Sequence, residues 1–200
     1  MVWSIIPIEN FPNNAIAIIF NILFIIFFII EISIIRRIKK YKPRNGKTKD
    51  KGSFFIVMLG IFIPLVYSFV IAYNDVGQFS FNTSYLGLLL MAAGFGLRQW
   101  SIKTLGRFFT PIVSVHSDHK LIQSGPYKYM RHPSYTGLFL ELVGVAFALS
   151  NLFATITVMI FFLPAIMYRI MVEEYLLGEH FGKNYESYKQ RTKRLIPFVY

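Results

Sequence analysis

The feature that most constrains this chain is a succession of apolar runs, each close to the length needed to cross a bilayer. Ala15 to Ile35 is interrupted only by Asn21, Glu31 and Ser33. A hydrocarbon core about 30 Å thick takes roughly 20 apolar residues of helix. Ser53 to Tyr73 forms a second run, with Pro64 at mid-length, where a kink is expected. A third extends from Tyr85 to about Leu105 and carries Arg98; a fourth covers Pro133 to Leu149; a fifth covers Phe153 to about Val172 and contains Pro164. Asn151 alone separates the last two, so a tight antiparallel hairpin is expected. The fold class that follows is all-α: an integral, multi-pass membrane protein with five transmembrane helices. Composition agrees, since 54% of the 200 residues are hydrophobic, 21 are Phe and only 16% are charged. Soluble domains carry about 25% charged residues. The first run is too long, and too weakly basic upstream, for a signal peptide.

The basic residues orient these spans. Arg36, Arg37, Lys39, Lys40, Lys42, Arg44, Lys47, Lys49 and Lys51 lie between the first two runs, whereas residues 1–14 and 74–84 contain no Lys or Arg. The basic loop, residues 36–51, is therefore expected in the cytoplasm and the N-terminus outside. Five spans then place residues 106–132 and the C-terminal tail from Glu173 in the cytoplasm. The net charge of +11 thus reads as a topology determinant and a contact with anionic headgroups. Apart from Tyr41 the loop lacks aromatic interleaving, so no nucleic-acid partner is expected. Cysteine is absent, which excludes disulfides and thiolate chemistry.

Polar residues gather at the same membrane face in the second half of the chain. Residues 116–137 read HSDHKLIQSGPYKYMRHPSYTG. Gly125-Pro126 signals a turn, and Pro133 suits the first turn of a helix. Free amides at that helix start, beside Arg131 and His132, would form an anion site. The plainer reading is an interfacial anchor of Tyr127, Tyr129 and Tyr135 with snorkelling Lys128 and Arg131. Further on, Arg169 and Glu173 are four apart and share a helix face. An arginine a turn inside a span is a functional candidate by default, although an Arg–Glu pair locking the helix end is the bland alternative. Glu141 could pair with Arg98 or with Arg169, or be protonated. His116 and His119 with Asp118 are a weak metal pattern, and no metal is expected. Neither G-x-G-x-x-G, a Walker loop, G-x-S-x-G nor H-E-x-x-H occurs.

Taken together, the two clusters resemble the isoprenylcysteine carboxyl methyltransferase family of integral membrane enzymes. The resemblance rests on HKLI (His119 to Ile122), GPY (Gly125 to Tyr127) and RHPSYTG (Arg131 to Gly137). It continues in Arg169, Glu173 and Glu174, in FGKNYESY (Phe181 to Tyr188), and in Arg194 with Pro197. It covers about residues 85–200, the presumed core of three helices and cofactor-binding segments, and leaves residues 1–84 as a two-helix membrane region outside it. A further family cofactor contact, a Gln, falls near Ile112 or Val113 and has no equivalent here.

The resemblance implies S-adenosyl-L-methionine as cofactor, in a cytoplasmic pocket closed by the C-terminal tail. It would be contacted by His119, Lys120, Leu121, Ile122, Tyr127, His132, Pro133, Ser134, Tyr135 and Glu173. Arg169 would address the methyl acceptor, and bind it bidentately if it is a carboxylate. A carboxylate is ionised at neutral pH and needs no general base; in-line transfer then depends on positioning in a dry site. The acceptor is expected to be a lipophilic molecule or lipidated substrate that enters sideways from the bilayer. The location implied is the cell membrane of a prokaryote or the endoplasmic reticulum of a eukaryote. Competing readings are a phospholipid or other lipid N-methyltransferase, whose amine acceptor Arg169 would repel, and an NADPH-dependent membrane sterol-type reductase, a longer class with more spans. A small scaffold or transporter subunit would spread polar residues through its spans rather than gather them at one face.

Overall fold

The computed structural model describes residues 11–40, 47–48, 50–74, 76–79, 82–115 and 118–196. His116, Pro197 and, in the basic loop, residues 41–46 and 49 lie outside them. Six helices carry the described chain: α1 (Asn14–Lys40), α2 (Ser53–Tyr73), α3 (Ser84–Leu105), α4 (Pro133–Ala148), α5 (Leu152–Phe181) and α6 (Lys183–Arg191). A two-residue ladder, β1 (Lys47–Thr48) with β2 (Ser114–Val115), is antiparallel and pairs Lys47 with Val115 and Thr48 with Ser114.

Among the described residues, three stretches are long and apolar enough to cross a bilayer: Asn14–Arg36, Ser53–Tyr73 and Leu152–Phe181. The helix of the fourth expected span, Pro133–Ala148, is apolar but shorter, and α3 carries Arg98, Gln99 and Lys103 in its second half. Outward faces of the long helices are hydrophobic: Ile18, Ile22, Ile25 and Ile29 on α1, Phe62, Val66 and Val70 on α2, and Ile160 and Phe161 on α5 are all exposed. Apolar surface on this scale marks contact with lipid. Helix α2 continues through Pro64, with the Ser68 hydroxyl donating to the Pro64 carbonyl at 2.6 Å.

Helix α5 is longer than its apolar run. It continues past Val172 through EEYLLGEHF, because those residues are good helix formers once the chain meets water. Gly182, with φ +53, ends it. Asn151 caps its start, accepting from Ala154 N at 2.9 Å.

Glycines set the closest contact in the bundle. Gly87 and Gly94 of α3 face Gly144 and Gly137 of α4, and a Cβ added at any of the four would strike the backbone of the other helix. Such small-residue seams let helix backbones approach in a membrane, where packing rather than water expulsion drives association. Helix α2 lies along α5, and Phe24 of α1 meets Phe69 of α2 edge-on at 5.0 Å. The core at the centre includes Phe20, Leu142, Phe162, Ile166 and Ile170.

Candidate active site

Two cavities adjoin where the polar clusters come together. The larger is an open cleft with about 860 Å³ of space between its walls, solvent at its mouth included. It is lined by His119, Lys120, Leu121, Ile122, Tyr127, His132, Ser134, Tyr135, Arg169 and Glu173, with Tyr185 and Tyr188 from α6. Of the residues expected to contact the cofactor or the acceptor, Pro133 does not line it and is buried in the first turn of α4. The His119 ring lies 4.7 Å from that of Phe108 and 5.9 Å from that of Phe181.

The C-terminal tail closes one side. Arg131 N donates to Lys193 O at 2.8 Å, His132 N to Arg194 O at 3.0 Å, and the Thr136 hydroxyl to Leu195 O at 2.7 Å. The amides of Arg131 and His132, just before this helix start, are therefore taken by the tail. Arg131 is committed too: Nε donates to Glu174 Oε1 at 2.7 Å, and the terminal nitrogen to the carbonyls of Lys189 and Thr192. Glu174 also pairs with Arg194 at 3.1 Å and lies 3.4 Å from His132 Nε2. Tyr188 OH donates to Tyr127 O at 2.7 Å. Burial, reinforced by Glu173 and the neighbouring tyrosines, pushes the Tyr127 phenol well above its usual value, so it stays neutral.

Arg169 pairs with neither Glu173 nor Glu141. Its Nη1 contacts Asp50 Oδ1 at 2.5 Å and Ser53 Oγ at 2.9 Å, Nη2 donates to Pro111 O at 2.6 Å, and Nε to Tyr135 OH at 3.2 Å. Tyr135 OH in turn donates to Glu173 Oε2 at 2.7 Å. Asp50 also accepts from Phe54 N at 3.0 Å and Val113 N at 3.1 Å. Burial raises the Asp50 carboxyl pKa, but those two amide bonds, Arg169 and Ser53 outweigh it, so the carboxyl titrates below its ordinary value and is ionised at neutral pH. Sequence reasoning missed Asp50. The available signal was that it is the only acid within residues 36–51 and stands just before an apolar run.

The second cavity, about 480 Å³, is lined by apolar residues such as Val57, Met58, Ile61 and Leu138, with Glu31 and Arg98 at one wall. It shares Phe109, Thr110, Ser134, Tyr135 and Arg169 with the larger cleft. Arg98 settles the partner of Glu141: its Nη1 lies 3.4 Å from Glu141 Oε2 and 2.5 Å from Glu31 Oε1, all three side chains being under one tenth exposed. This triad ties α1, α3 and α4 together.

A cleft with polar side chains and an apolar cavity thus meet at one buried arginine, in a chain whose long helices are apolar enough to cross a membrane. Residues 85–179 match the model of the isoprenylcysteine carboxyl methyltransferase (ICMT) family, so this part of the chain carries the pattern that its motifs resemble. A rice (Oryza sativa subsp. indica) relative, "Probable protein-S-isoprenylcysteine O-methyltransferase", is 36% identical over 118 residues, 58% of this chain and 62% of its own. The "Protein-S-isoprenylcysteine O-methyltransferase" of Saccharomyces cerevisiae is 32% identical over 162 residues, 78% of this chain and 65% of its own. The chain thus spans a little under two thirds of these relatives. The solved structure of "the eukaryotic intramembrane Ras methyltransferase ICMT" superposes with a TM-score of 0.57 and 30% identity, covering 71% of this chain and 52% of that one.

Proposed function

We propose that this protein transfers a methyl group from S-adenosyl-L-methionine to the carboxylate of a prenylated cysteine or a similar lipidated acceptor. The observation that carries the reading is the junction itself: Tyr135 and Arg169 line both the cleft and the apolar cavity. A water-soluble donor in one and a lipid tail in the other would bring their reacting ends to that point. The names of the relatives favour O-methylation over the N-methyltransferase and reductase readings.

The cleft suits the donor. Aromatic rings of Phe108, Phe181, Tyr185 and Tyr188 offer faces for an adenine ring and for a sulfonium. The Glu173 side chain, about one third exposed, offers a carboxylate to an ammonium group. The donor supplies a methyl carbon on a sulfonium leaving group, which an ionised carboxylate can displace without a base. His119 to Ile122 and His132 to Tyr135 shape the wall, and the tail held by Glu174 keeps water out. Arg169 and Tyr135 orient the acceptor.

The topology belongs to the same proposal: five spans, α3 and α4 crossing as a glycine-packed pair, N-terminus outside and the cleft facing the cytoplasm. Residues 1–84 would anchor and orient the chain and 85–200 perform the chemistry, in the cell membrane or endoplasmic reticulum according to the host. The test is methyl transfer from labelled donor to S-farnesylated N-acetylcysteine in liposomes, with calorimetric binding of the demethylated donor. Arg169→Ala should abolish turnover and leave donor binding within a few-fold. Absence of donor binding to the wild type, or equal loss of binding and turnover in the variant, refutes the assignment.

A further inference from the structure

Arg169 has little left to give an acceptor. A guanidinium carries five N–H groups. Four point at Tyr135 OH, Asp50 Oδ1, Ser53 Oγ and Pro111 O, which leaves one. Two parallel bonds to a carboxylate, as expected from the sequence, have no free edge to form on. Asp50 is held in place independently of Arg169, by the amides of Phe54 and Val113 and the Ser53 hydroxyl. The chain turns sharply behind it, with Lys51 at φ 47 and Gly52 at φ 73. Asp50 is thus a fixed counter-charge, built into the start of α2.

We infer that Asp50 is a positioning residue that neutralises Arg169, so that the arginine orients the acceptor carboxylate without stabilising its charge. The inference rests on the carboxylate reading of the acceptor given above. Methyl transfer to a carboxylate consumes charge: the oxygen forms a bond to the methyl carbon, the carbon–sulfur pair leaves with sulfur, and an anion and a cation become an ester and a thioether. The carboxylate is most negative before the reaction. An uncompensated cation beside it would stabilise the bound reactant more than the transition state, tightening binding and slowing the chemical step. A guanidinium already paired with Asp50 supplies direction with little net charge.

The reading separates Asp50 from a gate. If Asp50 merely occupied the acceptor's place on Arg169, its removal would tighten acceptor binding and speed turnover. If it served only to hold α2 and β2 together, its removal would weaken both.

The test uses the full chain in nanodiscs with Asp50→Asn and Asp50→Ser. Both remove the charge and keep one side-chain oxygen, where the wild type gives Oδ2 to the Phe54 amide and Oδ1 to that of Val113. Calorimetry without the methyl donor compares S-farnesylated N-acetylcysteine with its carboxamide. The preference for carboxylate over amide should rise about tenfold in both variants, since a unit charge within a few ångströms has been uncovered in a partly dry site. Asp50→Glu should keep the wild-type ratio. In turnover assays KM for the acceptor and kcat should fall together, leaving kcat/KM within about threefold. An unchanged or smaller carboxylate preference overturns the proposal, as does a fall in KM with kcat unchanged or raised. A wild type that binds donor and acceptor but transfers no methyl group would strike the acceptor reading instead; the binding ratio does not depend on turnover and judges Asp50 by itself.

Discussion

Glu174→Ala should open the tail over the donor cleft. The Glu174 carboxylate is nearly enclosed, with its side chain 6% exposed, and it accepts from Arg131 Nε at 2.7 Å and pairs with Arg194 at 3.1 Å. Removing one partner of a buried ion pair costs about 3–5 kcal/mol, because the other charge stays buried and uncompensated. The lower end applies here. Arg131 keeps the carbonyls of Lys189 and Thr192, and Arg194, its side chain 32% exposed, can turn to water. About 3 kcal/mol corresponds to a factor of about 150 in the ratio of closed to open tail, at roughly 1.36 kcal/mol per tenfold. Donor affinity falls in proportion once the open form dominates, so binding of the demethylated donor should weaken at least tenfold. Lys193 and Arg194 should become faster trypsin sites. Glu174→Gln keeps one oxygen for Arg131 and should lie between wild type and alanine. If trypsin cuts the alanine variant at the wild-type rate and calorimetry gives a dissociation constant within twofold, Glu174 steadies α5 only and the clamp is wrong.

Arg98→Leu should lower stability by about 3–5 kcal/mol, leaving Glu31 and Glu141 buried without a counter-charge; a thermal melt in detergent reads it. Replacing all three residues by Leu should recover most of the loss, and a triple variant no more stable than the single would refute the triad's role. Gly94→Ala places a methyl against the Gly137 carbonyl and the Glu141 amide and should cost about 1–3 kcal/mol by overpacking. Gly96→Ala, with no neighbour near its Cβ, is the control and should melt no lower than wild type. The Asp50 carboxyl titrates below its ordinary 3.8, so the stability it contributes is fully present above that value and is lost as pH falls through the lowered one. The difference in melting temperature between wild type and Asp50→Asn should therefore be flat from about pH 5 to pH 8 and shrink below about pH 4; a difference that changes between pH 6 and 8 would point to another group.

What could be read from the sequence is what depends on neighbouring residues. The starts of α2, α3 and α4 follow from apolar length and from Pro133, and the Asn151 cap from one side chain beside an apolar run. The far end of α5 was missed because the apolar pattern stops near Val172, whereas the helix stops only where a residue resists it, at Gly182. The helix start at His132 shows the limit most clearly. The amides of Arg131 and His132 that lead into it are taken by the carbonyls of Lys193 and Arg194, about sixty positions away. Arg169 was found from its cost in a membrane, but its partner Asp50 is 119 positions away, and no periodicity links the two. Motif resemblance gathered most of the cleft residues because it carries spacing that local physics cannot supply.

The buried arginines also explain why only one of them bears on chemistry. Arg98 is matched by Glu31 and Glu141, Arg131 by Glu174, and Arg169 by Asp50, and in each case at least one acid comes from a different element. Charge at depth is tolerable only in such pairs, so the net charge of +11 is not carried by these three. Arg131 is turned into the tail clamp, where Glu174 and the carbonyls of Lys189 and Thr192 take three of its five N–H groups. Arg98 has two carboxyl groups against it, which leave it no unmatched charge to offer an acidic acceptor at that wall of the apolar cavity. Arg169 alone lines both cavities with one acid against it and one N–H to spare. On the proposed reading, an acceptor carboxylate at the junction would take its direction from the Arg169 side, with its tail among Val57, Ile61 and Leu138.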